Sequence, residues 1–221
     1  MRELRPGLWH WQAAHPDWSQ EEPWEREVSS YAIGDGGRLL LFDPLAVPNE
    51  LLELAAEREP AIVLTAPWHE RDARALAERL DAAVYAPPAD TAADLMQKYG
   101  VTAEQAGEGS PDLDWLRSGS AEARWYGAGD RLPLGIEAFE GREHNDVVLW
   151  VESKRAVISG DTLADFGQGL GIQNEWLRKG VTREEVVDRL RPLLDLRVEH
   201  VLAAHGGPQT RAALERALAE V

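Results

Sequence analysis

The chain has 221 residues, of which 44% are hydrophobic, and its formal net charge is −16 at pH 7. This length and apolar content are sufficient for one domain with a buried core, and the negative charge disfavours nucleic acids and anionic membranes as partners. The absence of cysteine excludes disulfides and thiolate ligands, so that His, Asp and Glu are the remaining strong candidates for metal binding.

Two signals bear on location. The N-terminal residues lack the apolar segment of a secretory signal peptide, and no stretch approaches the roughly 18 apolar residues of a membrane span. We therefore expect a cytoplasmic protein without a membrane partner. Neither terminus indicates an oligomeric state.

The first half of the chain has apolar patterns typical of strands followed by helices. We predict strands at Val28–Ile33, Leu39–Phe42, Ala61–Thr65 and Ala83–Tyr85. Helices are predicted over about 48–57, 72–80 and 91–99, the last of them stopped by Gly100. Residues 101 to 122 are rich in Gly, Ser, Pro and acids, which is typical of a surface connection.

The second half repeats this order. Strands are predicted near 123–126, 136–139, 147–151, 156–159 and 201–204, and residues 164 to 180 are Gly-rich. Thr182 and Glu185 form a capping box at the start of one helix, and Thr210 precedes a terminal helix through Ala219. Strands followed by helices in both halves predict two sheets packed face to face with helices outside. We expect a single domain over residues 1–221, with halves of about 1–122 and 123–221.

Four stretches, in this order, resemble motifs of the metallo-β-lactamase superfamily. They are L-L-L-F-D-P at 39–44, L-T at 64–65, the segment from Val147 to S-G-D-T-L at 159–163, and V-L-A-A-H-G at 201–206. S-G-D-T-L is the most specific of them. The resemblance implies an α/β fold, the four-layer αββα sandwich of that family, and a metal-dependent hydrolase.

The sequence of this chain departs from the metal-binding motif of the family. Counted from Thr65, the four ligand positions of H-x-H-x-D-H fall on Ala66, Trp68, Glu70 and Arg71, and Arg142 stands where the family has its next histidine.

The resemblance nevertheless retains part of a site, because Asp161 matches the bridging carboxylate and His205 the terminal imidazole. Together with Glu70 they predict a reduced site for one divalent cation (zinc, manganese or iron), with loss of all metal as the alternative. His69 and His144 lie one and two residues from lost ligand positions, and we expect that either one can complete the set.

Two further groups of residues indicate a ligand. Arg71 and Arg142 either pair with Asp161 or Glu70, so that guanidinium replaces the cation, or bind an anionic small molecule. The tryptophans near the site form the second group. Trp18 and Trp24 are predicted to form an aromatic lid and Trp68 to contact the ligand, whereas Trp9 and Trp11 lie on one face of a strand and fit core packing as well.

Two functional hypotheses follow. The first is a hydrolase of a small ester, thioester, lactone or amide, in which Asp161, His205 and His69 serve a water activated by one metal. The second is a non-catalytic relative that has lost its metals and binds a small acidic or aromatic ligand. The partner is a small molecule in both.

Overall fold

Thirteen strands form two sheets in the computed structural model, which describes residues 1–219. The first sheet has the order β1-β2-β3-β4-β5-β6-β7 and the second the order β13-β12-β11-β10-β9-β8. The strands of the first sheet are β1 Arg2–Arg5, β2 Leu8–Ala14, β3 Glu27–Asp35, β4 Arg38–Phe42, β5 Glu59–Val63, β6 Ala83–Ala86 and β7 Ala123–Trp125. Those of the second are β8 Arg131–Leu132, β9 Ile136–Glu143, β10 Asp146–Val151, β11 Ala156–Gly160, β12 His200–Ala203 and β13 Pro208–Thr210.

Seven helices accompany the sheets within these residues. They are α1 Asn49–Ala56, α2 Ala73–Leu80, α3 Ala92–Tyr99, α4 Ala103–Ala106, α5 Asp114–Arg117, α6 Arg183–Leu190 and α7 Arg211–Ala219. Helices α1, α2 and α5 pack on the outer face of the first sheet, and α6 and α7 pack on that of the second. The predicted αββα sandwich is confirmed. In the described part of the chain, no helix combines the length and hydropathy needed to cross a bilayer.

The alternation of side chains along the strands creates separate apolar layers. In β4, Leu40 and Phe42 enter the core between the sheets, whereas Leu39 and Leu41 face α1 on the outside. In β10, Leu149 points inward between the sheets and Val148 contributes to the cluster under α6 and α7. A strand apolar on both faces is typical of a sheet covered on both sides.

The segment 101–122 differs from its prediction as a surface connection. It contains the short helices α4 and α5, and Leu113, Trp115 and Leu116 are buried in the cluster formed with α2 and β6. Its apolar residues are too few to show a helical period, so burial here depends on the neighbouring sheet. Strand β7, which follows, pairs with β6, so the predicted division near residue 122 falls inside the first sheet.

Parallel pairing brings the polar residues of both halves to one edge. Strand β4 runs parallel to β5, and β11 runs parallel to β12. The segments that leave their carboxyl ends carry Asp43, Thr65, His69, Asp161 and His205. Backbone hydrogen bonds then join the two sheets at this edge, from Ser29 to Ala204 at 2.8 Å and from Val147 to Thr65 at 2.9 Å. Ligands of α/β proteins bind at the carboxyl ends of strands, so this edge is the candidate site.

Candidate metal centre

His69 lies at the centre of the polar cluster. It ends a single 3₁₀ turn, Pro67–His69, that follows β5 and has proline in its first position. Its Nδ1 lies 3.0 Å from Thr65 Oγ1 and 3.1 Å from Asp43 Oδ2, and its Nε2 lies 3.1 Å from Asp161 Oδ1. The side chain is thus held at both ring nitrogens.

Asp161 and His205 complete a group of three. His205 Nε2 lies 3.4 Å from the same Asp161 Oδ1 that faces His69. The donor atoms of the three side chains lie within 4.8 Å of one another, and all three residues are buried. The structure therefore brings together the predicted residues Asp161 and His205 with His69, the predicted helper.

Gly160 makes the approach of this aspartate possible. Its φ is +52°, a backbone region that favours glycine, and a Cβ there would lie 2.8 Å from Thr65 Oγ1 and 2.9 Å from Asp146 Oδ1. Any side chain at this position would collide with the polar cluster. Lack of space for a side chain therefore explains why S-G-D-T-L has glycine at this position in this chain.

The three donors fit one divalent cation. Ligand atoms of a tetrahedral zinc with bonds of about 2.0 to 2.1 Å are separated by about 3.3 Å, and the two separations from Asp161 Oδ1 are 3.1 and 3.4 Å. His69 also meets a second requirement, because metal-binding histidines usually turn their other ring nitrogen to a carboxylate, here that of Asp43. The residues do not fit two metals, because Ala66, Trp68, Arg71 and Arg142 stand at four positions where the family has ligands, and Glu70 at the fifth is not part of the group of three donors.

Arg142 places a positive charge beside the second carboxylate oxygen of Asp161. Its Nε donates to Asp146 Oδ2 at 2.7 Å, its Nη1 to the Trp176 carbonyl at 2.8 Å, and its Nη2 lies 3.4 Å from Asp161 Oδ2. The guanidinium lies over the rings of Trp68 and Trp176, at 5.5 and 5.2 Å from their centroids. The predicted pairing of an arginine with Asp161 is therefore present.

Attraction between opposite charges shifts the pKa values of the buried groups in this cluster. Burial by itself would lower the pKa of His69, but Asp161 and Asp43 outweigh it and raise that pKa to about 10. Burial opposes ionisation of Asp161, yet His69 and His205 hold its pKa well below the usual range. Burial also desolvates Arg142, but Asp146 and Asp161 outweigh this effect and raise its pKa. The negative charge of Asp43 and Asp161 can therefore be neutralised either by a proton on His69 or by a divalent cation.

Arg71 and Glu70 take other positions. Arg71 has a left-handed φ of +43° and sends Nη1 inward, to the carbonyls of Ser29 at 2.9 Å and Asp43 at 2.7 Å. Within residues 1–219, Arg71 donates to these two carbonyls and to the Ser30 hydroxyl, and it forms no ion pair with Asp161 or Glu70. Glu70 is half-buried, follows the 3₁₀ turn, and is not part of the group formed by the three donors.

His144 lies apart from the three donors. It is exposed on the turn between β9 and β10, where its Nε2 is 3.9 Å from Asp90 Oδ1, and it forms a separate group with Asp90 and Asp94. Buried Lys98 neutralises Asp90 with hydrogen bonds of 2.7 and 2.9 Å. Among the described residues, His144 is thus not positioned to complete the central group.

Aromatic rings cover the central group. The ring of Trp24 lies 4.7 Å from that of His205, and Trp176 and Phe166 lie 5.3 and 6.2 Å from it. Trp18 donates its indole N–H to the Trp24 carbonyl at 2.8 Å and so supports this cover, but in the described part of the chain no ring contact joins it to His69 or His205. Trp9 and Trp11, by contrast, pack in the core beneath α1.

A cavity of about 280 Å³ lies beside the covered group. Its walls include His15, Leu45, Trp68, Glu70 and Arg71. Trp68 connects this cavity to the three donors, because its Nε1 donates to Asp161 Oδ2 at 2.9 Å.

Sequence reasoning missed four site residues: Asp43, Asp146, Phe166 and Trp176. Asp43 stood in the quoted L-L-L-F-D-P stretch, so the motif contained a signal for it. Asp146 follows Arg142 by four residues, a spacing without meaning until β9 and β10 form a hairpin. Phe166 and Trp176 lie in the Gly-rich segment 164–180, where no periodicity predicts which side chains turn inward.

Known structures share this architecture. The DIM-1 metallo-β-lactamase aligns over 98% of this chain and 94% of its own, with a TM-score of 0.65 and 14% identity. The metallo-β-lactamase superfamily protein ST1585 from Sulfolobus tokodaii covers 97% of this chain and 85% of its own, with a TM-score of 0.65 and 16% identity. TTHA1623, solved in a di-iron-bound form, covers 86% of this chain and 93% of its own, with a TM-score of 0.57 and 26% identity.

No protein-family model and no curated protein matches the sequence. The structural likeness extends over nearly the whole chain, while the identities are low. The two sheets, their order and the position of the polar edge agree with the motifs found in the sequence. The chain therefore has the metallo-β-lactamase fold, in a divergent form.

Proposed function

We propose that this protein is a hydrolase of a small ester, thioester, lactone or amide that uses one divalent cation held by His69, Asp161 and His205. The observation that carries the proposal is the convergence of two imidazole nitrogens on one carboxylate oxygen, at 3.1 and 3.4 Å. In this assignment His69 takes the ligand role that the sequence had given to Glu70. Zinc, manganese and iron all accept such a mixed set of nitrogen and oxygen donors.

A bound divalent cation would supply a water of lowered pKa and polarise a carbonyl group. The residues of the chain orient this chemistry. Asp43 and Thr65 fix the ring plane and tautomer of His69, which leaves Nε2 directed at the centre. Trp68 and Arg142 hold the other oxygen of Asp161, and Trp24 excludes bulk water from His205.

The substrate would enter through the cavity beside Trp68. Its volume of about 280 Å³ suits a small acyl compound, and its wall contains Arg71 and the apolar side chain of Leu45. This supports a small-molecule substrate.

Metal content tests the proposal first. Protein purified without a His-tag should retain about one zinc, manganese or iron per chain by plasma mass spectrometry, or take up one after dialysis against chelator and then metal. The reloaded protein should hydrolyse at least one of p-nitrophenyl acetate, γ-butyrolactone, S-ethyl thioacetate and p-nitroacetanilide.

Two variants make this test specific. Asp161→Asn should lose both the ion and the activity, whereas Asp188→Asn, in an exposed ion pair with Arg191, should lose neither. Binding of an ion without turnover of any ester, lactone, thioester or amide would reject the hydrolase and leave a metal-binding protein.

A second function is favoured by one observation. Both ring nitrogens of His69 face carboxylates, and Arg142 faces Asp161, so the side chains of this chain neutralise the site by themselves. A non-catalytic protein that binds a small ligand in the neighbouring cavity would have this arrangement. Absence of any bound ion after reloading, together with unchanged thermal stability in chelator, would select it.

A further inference from the structure

We propose that the Arg142 guanidinium is a built-in second cation, which restricts this centre to a single metal ion and lowers the affinity for that ion. Arg142 is a positioning residue in this proposal, because it acts on the centre through Asp161. The inference deepens the proposed function and rests on the same three donors.

The two oxygens of Asp161 have different surroundings. Oδ1 faces the imidazoles of His69 and His205, whereas Oδ2 accepts the indole N–H of Trp68 at 2.9 Å and lies 3.4 Å from Nη2 of Arg142. A carboxylate bridges two metal ions either with one oxygen on each ion or, less often, through one shared oxygen. Here the second oxygen is occupied by donors of the protein, so Asp161 has one oxygen left for a metal ion and cannot bridge two ions through both of its oxygens.

Arg142 is fixed in this position from three sides. The completely buried Asp146 accepts a hydrogen bond from Nε of Arg142 at 2.7 Å, and the Trp176 carbonyl accepts one from Nη1 at 2.8 Å. The indoles of Trp68 and Trp176 each lie within 5.5 Å of the guanidinium carbon. The Thr162 hydroxyl donates to the same Asp146 oxygen at 3.0 Å and fixes the anion as well.

A fixed guanidinium differs from a metal ion in two ways. It stays charged at every pH a protein tolerates, and it cannot exchange with solvent. Its charge repels a divalent cation bound to Asp161 in a buried site where screening is weak. The affinity for the ion is then lower than the three donors alone would give.

The experiment measures binding of Mn²⁺ to the full chain by calorimetry, with the number of ions checked by plasma mass spectrometry. The double variant Arg142→Gln, Asp146→Asn removes both buried charges, keeps hydrogen-bonding side chains and leaves no unpaired buried ion. The reference is Asp146→Asn alone, because the Asp146 carboxylate itself attracts a cation. The bond from Trp68 still holds Asp161, so relative to this reference the removal of the positive charge in the double variant should tighten Mn²⁺ binding by about tenfold or more. The wild-type protein should saturate at one ion.

Arg142→Lys provides the matched control, because it retains the charge but not the forked geometry. It should bind Mn²⁺ within about threefold of the wild-type affinity if charge is the cause. Arg38→Gln, which removes an exposed partner of Glu59, should leave the affinity unchanged. Urea unfolding of each variant verifies that it is folded.

Three outcomes overturn the proposal. They are two Mn²⁺ ions bound per wild-type chain, a double variant that is folded but binds no more tightly than Asp146→Asn, and a lysine variant as tight as the double variant. An ion bound by the double variant and not by wild type would uphold the role of Arg142 while rejecting the proposed hydrolase. No ion in either protein would reject both.

Discussion

At the scale of single residues, the position of His69 determines which three donors the structure brings together. A one-residue offset places it beyond the second position of the family's metal motif, and counting along the sequence favoured Glu70 as the ligand instead. The 3₁₀ turn over Pro67–His69 reverses this order, because it turns the imidazole inward between Asp43 and Asp161. Side-chain direction on a single turn depends on the backbone path, which the spacing of residues does not reveal.

The charge on His69 leads to a prediction on stability in chelator-treated protein. Its pKa is raised from 6.5 to about 10, so the folded state favours the protonated form. The stability that His69 contributes is then complete below pH 6.5 and is lost as the pH rises through 10. The difference in unfolding free energy between wild type and His69→Gln should be at most on the order of 5 kcal/mol near pH 6 and shrink towards pH 10.

Urea unfolding at pH 6, 8 and 10 measures this difference. His200→Gln is the control, because burial lowers the pKa of His200 and its contribution does not decline above pH 6.5. A difference for His69→Gln that stays constant across this range would show that the imidazole is neutral in the folded protein.

Asp43 leads to a second prediction at this scale. It contacts His69 Nδ1 at 3.1 Å and touches none of the other two donors among the described contacts. Loss of such an outer partner typically weakens metal affinity by about 10- to 100-fold. Asp43→Asn should therefore weaken Mn²⁺ binding by this factor in calorimetry, while Asp35→Asn at the exposed end of β3 should not. An unchanged affinity would exclude the orienting role of Asp43.

At the scale of elements, strands and helices were the most predictable part. Alternating or continuous apolar runs located β3, β4, β10 and β11, and the capping box of Thr182 with Glu185 located the start of α6. These signals are local, so they are visible in the sequence. The Gly-rich segment 164–180 has no such signal, and its rings reach His205 only because of contacts formed in the folded protein.

The connection between β2 and β3 gives a prediction about access. Trp24 reaches His205 from this connection at 4.7 Å, and its own N–H is bonded to Glu22 of the same segment. Within residues 1–219, the hydrogen bonds of Trp24 that involve a side chain are made with Glu22 and Trp18 of the same connection, so removal of the ring should expose the histidine without unfolding the sheets. Trp24→Ala should increase the rate of His205 modification by diethyl pyrocarbonate by about threefold or more.

Peptide mapping by mass spectrometry assigns the modified histidine. Trp125→Ala, which removes an exposed ring on β7, is the matched control and should leave the rate unchanged. An equal rate in wild type and Trp24→Ala would mean that Trp176 and Phe166 suffice to cover the centre.

At the scale of the whole molecule, the site exists because two sheets meet at one edge. The core between them contains residues from both halves, such as Phe42 and Leu149, and the Tyr31 hydroxyl donates to the Ala203 carbonyl across the interface at 2.8 Å. Packing of the two halves therefore sets the distance between His69 on one sheet and Asp161 on the other. Dense packing leaves little freedom for this distance.

A truncation in this inner layer tests the dependence. Leu149→Ala should lower the unfolding free energy by about 2 to 5 kcal/mol, because it leaves a cavity between the sheets. Met96→Ala on the exposed face of α3 should change it by less than about 0.5 kcal/mol. Urea unfolding measures both, and a cost for Leu149→Ala as small as that for Met96→Ala would show that the inner layer is loosely packed.

The sequence by itself determined the fold class, most strands and helices, and the arrival of Asp161 and His205 at a shared edge. These follow from hydrophobic periodicity, capping residues and short motifs, all of which act over a few neighbouring residues. Only the tertiary structure decided that His69 and not Glu70 lies beside Asp161 and His205, that Arg142 pairs with Asp146 and Asp161, and that Arg71 turns to backbone carbonyls. The physical reason is that charge pairing and side-chain direction depend on distances between segments far apart in the chain, and packing of the two sheets sets those distances.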